Sequence, residues 1–360
     1  MSEALQSGAV RVAFPDKFQG VFLRSRSRYE PLLVEARDHL RGLLVPGPIA
    51  PYFAYGVLEH EQPSFVLAPL MFLAMAESQG GITARHRSYL PAFLLMVELI
   101  GILDDTVDHT PYRSGRLTYW RRFGAPSAAP FSIFLFNAAL EQTRREAPEL
   151  VPIVTRMFQD ICAAEVWEHD SRYPAVDPDT LATWLARHYD AVPAAIAHSL
   201  DSALLLHGRG PLDHVVHARF AELQQDVDDI VNFVEHRERD GENDDLKMGI
   251  VTYPLLATVR SSPEAAEALE AFWAPRRITG ETTTGDEALY AQLAGEIERV
   301  GIPATLQKIS VDANEAIAAA SPAAQSCVAD LVWTFVERLC RVDVLRGTVE
   351  EICPAVRAQR

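Results

Sequence analysis

Cysteine is scarce in this chain. There are four in 360 residues, Cys162, Cys327, Cys340 and Cys353, and none forms a C-x-x-C pair. That excludes a disulfide-stapled scaffold and a thiolate zinc site, and it reads as reduced thiols in a reducing compartment. A long hydrophobic run is also missing. The longest, 89-YLPAFLLMVELIGIL-103, carries Glu98 and falls short of the ~20 residues that a bilayer span requires. The opening residues, MSEALQSGAVRVAFPDKF, lack a basic stretch followed by an apolar one. No signal peptide is therefore expected, and the expected location is the cytoplasm. Basic charge is short as well: 33 Lys and Arg stand against 49 Asp and Glu, a formal net charge of −16. Such a surplus argues against nucleic-acid binding and suits a protein that recruits cations.

Alternating strand patterns separated by tight turns are absent, and helical patterns fill the chain instead. The runs 65–78, 92–108, 180–206 and 218–236 are rich in Ala and Leu with wide or continuous apolar faces. Helices that are apolar nearly all round belong inside a large bundle. Helix starts are expected at 177-DPDT-180 and 261-SSPEA-265, where a capping side chain precedes Pro. Breaks fall at 78–81, 110–115, 207–211, 240–244 and 279–286, and their lengths read as inter-helix loops. The expectation is one all-α domain over residues 21–360, with 1–20 as an N-terminal arm.

The chemistry concentrates in two acidic clusters. The first, Asp104-Asp105-x-x-Asp108, closes an apolar helix, so Asp104 and Asp108 stack on one face. Two carboxylates that close repel each other unless a cation lies between them. Carboxylate also opposes the dipole at a helix C-terminus. In the second cluster Gln225, Asp228, Asp229 and Asn232 share a face flanked by Val227, Ile230 and Val231. Hard oxygen donors on two apolar helices suit several Mg²⁺ ions shared with a phosphate. A di-iron bundle would need Glu-x-x-His pairs, and neither Glu165 nor Glu168 has a His three residues on. The neighbouring His169-Asp170 dyad reads as a polar helix end.

These motifs resemble those of the trans-isoprenyl diphosphate synthases and their relatives, the class I terpene synthases. The first signature stands here as Asp104-Asp105-Thr106-Val107-Asp108, then Arg113-Ser114-Gly115, Thr118 and Phe123-Gly124. The second stands as Gln225, Asp228-Asp229-Ile230-Val231-Asn232, Asp245-Leu246 and 249-GIVTYP-254. The likeness runs over roughly residues 50–260 and implies a helical bundle around a central cavity. It implies metal ligation by Asp104, Asp105, Asp108, Asp228, Asp229 and Asn232, with catalytic roles for Asp104, Asp108 and Arg113. It further implies substrate contacts from Arg113 and Gln225, Mg²⁺ as cofactor with Mn²⁺ as a substitute, a prenyl diphosphate as substrate, and a homodimer. Arg187 and Lys247 stand as replacements for basic positions that the family fills elsewhere.

The departures matter as much. Relatives bind the diphosphate of isopentenyl diphosphate with basic side chains. Here Phe65, Val66 and Ala68 stand in that stretch, and Ser114 replaces a second arginine. A diphosphate buried beside Phe and Val without partners would be prohibitive. The expected function is therefore a terpene cyclase, which ionises a C15 or C20 allylic diphosphate and lets the cation meet its own double bonds. Phe93, Phe134, Trp167 and Phe233 are candidate cavity aromatics. Three alternatives stand beside it: a prenyltransferase with an acceptor other than isopentenyl diphosphate, a synthase that still elongates with isopentenyl diphosphate, and a catalytically silent synthase subunit.

Overall fold

The structure, a computed structural model, describes residues 16–43, 45, 47–58, 67–113, 116–190, 192–238, 245–279 and 287–339. The expectations attached to residues 1–15, to Phe65, Val66 and Ser114, to Cys340 and Cys353, and to the loops 240–244 and 280–286 lie outside the described residues.

In chain order the helices are α1 (Asp16–Arg41), α2 (Ala50–Phe53), α3 (Leu67–Ser78), α4 (Ala84–Val107), α5 (Tyr119–Phe123), α6 (Ala125–Glu146), α7 (Val151–Asp170), α8 (Pro178–Tyr189), α9 (Val192–Leu206), α10 (His214–Glu238), α11 (Asp245–Met248), α12 (Tyr253–Ser261), α13 (Pro263–Thr279), α14 (Glu287–Glu296), α15 (Ile302–Ala319) and α16 (Gln325–Leu339). Between α4 and α5 a short antiparallel ribbon, β1 (Tyr112–Arg113) and β2 (Arg116–Leu117), pairs Tyr112 with Leu117 and Arg113 with Arg116. The all-α expectation holds, with this ribbon as the strand content among the described residues.

Local chemistry sets the boundaries. At the start of α4 the Thr83 hydroxyl and backbone N–H both meet His86 Nδ1, at 2.7 and 3.2 Å. This reciprocal cap satisfies donors that the helix leaves open. At α8 the Asp177 Oδ1 accepts the Thr180 N–H at 2.9 Å, with Pro178 at the first helical position. At α13 the Ser262 Oγ accepts the Ala265 N–H at 3.1 Å. Both caps lie where the sequence pattern places them. The run 180–206 is two helices, not one. Pro193 sits in the first turn of α9, where its missing N–H and fixed φ suit a helix start and oppose a continuing helix.

The core is continuous across the bundle. Leu90, Phe93, Leu95, Met96, Leu99 and Ile102 of α4 are buried, as are Phe220, Leu223, Val227 and Ile230 of α10. Burial of each such side chain contributes about 1.5–3 kcal/mol. α4 packs on α6 and α1, α10 on α15 and α9, and α9 on α3 and α7. The acidic motifs thus ride on two helices anchored in one core. No helix among the described residues is long and apolar enough to cross a membrane.

Candidate active site

The first acidic motif occupies the last turn of α4. Asp104 and Asp108 are partly buried on one face, as their spacing requires. Asp105 is turned away from them and is only 5% exposed. It lines a separate pocket with Tyr55, Glu98, Arg116 and Thr118. Arg116 caps that pocket, with its guanidinium 4.4 Å from the Tyr55 ring centre. After Asp108 the chain reverses through His109 in a left-handed conformation, φ 55°. The Thr118 hydroxyl and Trp120 indole then donate to the Thr110 carbonyl at 2.6 and 2.8 Å. These bonds pin the ribbon that carries Arg113 beside the end of α4. The Arg113 side chain lies outside the described residues.

Across from Asp108 lies the end of α7. Arg172 Nη2 donates to Asp108 Oδ1 at 2.8 Å and sits 3.7 Å from Glu168 Oε1. His188 Nδ1 of α8 lies 3.0 Å from the other oxygen of Glu168. Burial pushes the Glu168 carboxyl up, but His188 and Arg172 outweigh it and hold the group below its ordinary range. For Glu165, one turn earlier, the Arg172 charge is the smallest influence and does not prevail. Burial, with the charges of Asp104, Glu168 and Asp108 adding to it, pushes its carboxyl up to about 8.

The second motif lies along α10. Gln225 Nε2 donates to Asp229 Oδ1 at 2.7 Å, and Asp229 is 4% exposed. Burial, then the charges of Asp245 and Asp226, raise the Asp229 carboxyl well above the usual carboxylate range. Asp228 is partly buried and Asn232 is exposed. Asp229, Asn232 and Phe233 line a pocket with Asp245, Leu246, Ile250, Thr252 and Leu255. Behind this face Lys308 of α15 reaches three carboxylates, Glu222 and Asp226 at 2.9 Å each and Asp312 at 2.6 Å. The Tyr189 hydroxyl donates to Asp226 as well. Burial would lower the Lys308 amine, but the charges of Asp226 and Asp312 win and raise it.

The loop 171–176 joins the two halves. Arg172 holds Asp108, and the next residue, Tyr173, holds the segment after α10. The Tyr173 hydroxyl donates to the Lys247 carbonyl at 2.8 Å, and its N–H donates to the Gly249 carbonyl at 2.9 Å. Tyr173 is left-handed, φ 56°, a conformation uncommon for a bulky side chain. Arg277 fixes it by donating to the carbonyls of Tyr173 and Pro174 at 2.8 Å each. Gly249 is also left-handed, φ 74°, and a Cβ there would lie 2.4 Å from the Tyr173 ring. The glycine of 249-GIVTYP-254 is therefore required twice, by backbone conformation and by close approach.

Arg187 and Lys247, the two bases expected to substitute, lie against aromatic rings. The Arg187 guanidinium is exposed and lies 4.9 Å from the Trp167 ring centre. Lys247 Nζ lies 4.7 Å from that of Tyr290. Of the candidate aromatics, Phe233 borders the Asp229 pocket. Phe93 is buried and stacks on His198 at 4.7 Å. Phe134 packs edge-on to Phe53, and Trp167 tilts against Trp184.

Among the described residues no three His, Cys, Asp or Glu side chains converge as a ready-made cation cage. The acidic faces are two half-sites. Their donors are carboxylate oxygens, and the buried charges of Glu165 and Asp229 are penalised as they stand. Such a set fits a hard divalent cation that takes its remaining ligands from water and an anionic substrate.

Comparison with known proteins bears directly on these half-sites. Residues 68–288, which contain both acidic motifs, match the family model "Polyprenyl synthetase". The chain belongs to the polyprenyl synthetase family. No curated protein sequence matches it. The fold is similar to that of a polyprenyl synthase from Caulobacter crescentus CB15 complexed with calcium and isoprenyl diphosphate, at TM-score 0.70 and 20% identity over 89% of this chain and 97% of the other. It is similar to a geranylgeranyl pyrophosphate synthetase from Pyrococcus horikoshii, at TM-score 0.70 and 14% identity over 89% and 99%. A decaprenyl diphosphate synthase from Rhodobacter capsulatus aligns at TM-score 0.69 and 18% identity over 88% and 99%. At these identities the structures establish the helical fold.

Within this polyprenyl synthetase fold the structure adds residues that the motifs do not contain. Glu165, Glu168, Arg172 and His188 come together at Asp108, and Asp226 and Lys308 support α10. Their sequence signals are weak but present. Glu168 and Arg172 are four apart at a helix end, and Lys308 and Asp312 are four apart on one helix face.

Proposed function

We propose that this polyprenyl synthetase ionises an allylic prenyl diphosphate between α4 and α10 and transfers the prenyl group to an acceptor other than isopentenyl diphosphate. The supporting observation is the asymmetry of its charges. The chain keeps the acidic motif on α4 and most of that on α10, while the stretch that relatives use for the second diphosphate carries apolar residues. Ala68 stands at the start of α3 packed against the core, where a buried diphosphate would need a cation.

In this reading Asp104 and Asp108 of α4, with Asp228, Asp229 and Asn232 of α10, would hold Mg²⁺. Bound there, Mg²⁺ would neutralise the charge that develops on the leaving diphosphate. The protein does the rest. The Gln225 amide fixes the rotamer of Asp229. Arg113 and Lys247 bring charge-assisted donors to the diphosphate oxygens. Phe233, Ile250 and Leu255 present apolar surface and exclude water. The carbon–oxygen bond breaks, its electron pair leaves with diphosphate, and the allylic cation takes an electron pair from the acceptor, which then sheds a proton.

Cyclisation is the second reading. The same apolar substitutions favour it, because they remove a charged competitor for the cation. One product analysis separates the readings. Geranyl, farnesyl and geranylgeranyl diphosphates are each incubated with Mg²⁺ alone, with isopentenyl diphosphate, and with a panel of uncharged aromatic and alcohol acceptors. Prenylated acceptor supports the proposal, and a hydrocarbon formed without any acceptor supports cyclisation. A longer diphosphate formed with isopentenyl diphosphate overturns both.

A further inference from the structure

Arg172 is absent from both acidic motifs, yet its guanidinium is bonded to a first-motif carboxylate. Its side chain is only 16% exposed. A guanidinium carries five N–H donors in a rigid fork. One meets Asp108 at 2.8 Å, and the approach to Glu168 is a longer 3.7 Å. Its Nε is buried with no hydrogen-bond partner. A buried donor left unsatisfied is a cost that folding normally avoids. Glu168 is also drawn off by His188 at 3.0 Å. The fork is therefore held at the acidic face with donor capacity to spare.

The backbone holds it there. Tyr173 adopts its left-handed φ, its N–H and hydroxyl are tied to Gly249 and Lys247, and Arg277 grips the carbonyls that follow. Strain that is over-determined by its surroundings points to a function for the residues it aims. Here it aims the residue that links the first acidic helix to the loop after the second.

We propose that Arg172 is a substrate-ligating residue that occupies Asp108 while the site holds no cation and passes to the diphosphate oxygens when cation and diphosphate enter. The exchange leaves each charge with a partner. A divalent cation on Asp108 would displace the guanidinium, and the incoming diphosphate would offer that fork a pair of phosphoryl oxygens. The inference rests on the reading of the site given above, and it separates Arg172 from Arg187 and Lys247, which lie against rings.

The test is calorimetry on the full chain with two probes, Mn²⁺ alone and inorganic diphosphate in saturating Mg²⁺. For Arg172→Gln the two affinities are expected to move in opposite directions. Mn²⁺ binding tightens by roughly threefold or more, because a competing charge is gone. Diphosphate binding weakens by roughly ten- to a hundredfold, the worth of one charge-assisted pair. Arg172→Lys keeps the charge but not the fork, so it recovers only part of the diphosphate affinity. If the Gln variant does not fold, the Lys variant decides, through a loss of diphosphate affinity with Mn²⁺ binding kept. Diphosphate affinity equal to wild type in either variant overturns the proposal. So does a parallel loss of both affinities, which is the mark of a purely structural residue. Wild-type protein that binds no diphosphate in Mg²⁺ overturns the reading of the site itself.

Discussion

Gly249→Ala combines three costs that the structure separates. The residue is left-handed, φ 74°, and a side chain there costs roughly 1–2 kcal/mol. A Cβ would lie 2.4 Å from Tyr173 Cδ1 and 2.6 Å from the Tyr173 backbone N, so rotation of the ring alone gives no relief. Overpacking of that kind costs about 1–3 kcal/mol. Moving Tyr173 away also stretches its N–H bond to the Gly249 carbonyl, worth about 0.5–1.5 kcal/mol. The expected loss is about 3–5 kcal/mol. Gly208→Ala is the control, because Gly208 has φ 71° with nothing within 4 Å of its would-be Cβ. It should lose only the conformational ~1–2 kcal/mol. Urea unfolding with a common m-value measures both. If the two variants fall within ~1 kcal/mol of each other, the contact between Tyr173 and residues 247–249 is not as described, and the argument that this loop joins the half-sites fails with it.

Lys308→Met leaves Glu222, Asp226 and Asp312 without their shared cation. Removing one partner of a buried ionic cluster costs about 3–5 kcal/mol, read as a drop in the urea midpoint, and a neutral effect would contradict the cluster. Metal-free protein should lose stability as pH rises from ~5 to ~8. Glu165 and Asp226 are pushed up to about 8 and about 7, chiefly by burial, from ordinary carboxylate values of ~4, so the stability they contribute is fully present only below ~4 and is lost as pH rises through the raised values. His198, held down at about 3 by burial, works the other way below the ordinary imidazole value of ~6.5, and this one group offsets only one of the two carboxylates. Urea midpoints in chelator between pH 5 and 8.5 check this, and stability still climbing from pH 7 to 8.5 would contradict it. Asp104→Asn should slow diphosphate release by at least ~10²-fold with the fold intact, and unchanged turnover would remove α4 from the chemistry.

The motif helices were legible because they follow simple periods. Asp104 with Asp108, and Gln225 with Asp229, are i, i+4 pairs on apolar helices, and the structure keeps each pair on one face. The caps at Asp177 and Ser262 were legible for the same reason, since each is decided within four residues. Sequence alone joined 180–206 into one run, because apolar content continues through a break made by backbone rather than side-chain chemistry. The contacts of Arg172 and Lys308 were not legible. Asp108 and Arg172 are 64 positions apart, and Lys308 reaches Asp226 across 82. Such pairs depend on how α7 and α15 dock, which no local period encodes. Glu165 and Glu168 were weighed only as part of an iron motif, since their value as a flank for Asp108 exists only after folding.

The central claim is that α4 and α10 act together on one prenyl diphosphate through bound cations. Its most direct test is calorimetry with an unreactive allylic thiolodiphosphate, with and without Mg²⁺, on wild type, Asp104→Asn and Asp228→Asn. Binding that needs Mg²⁺ and is lost in each variant is the predicted result. Binding that survives chelation, or persists when Asp228 is replaced, would contradict it.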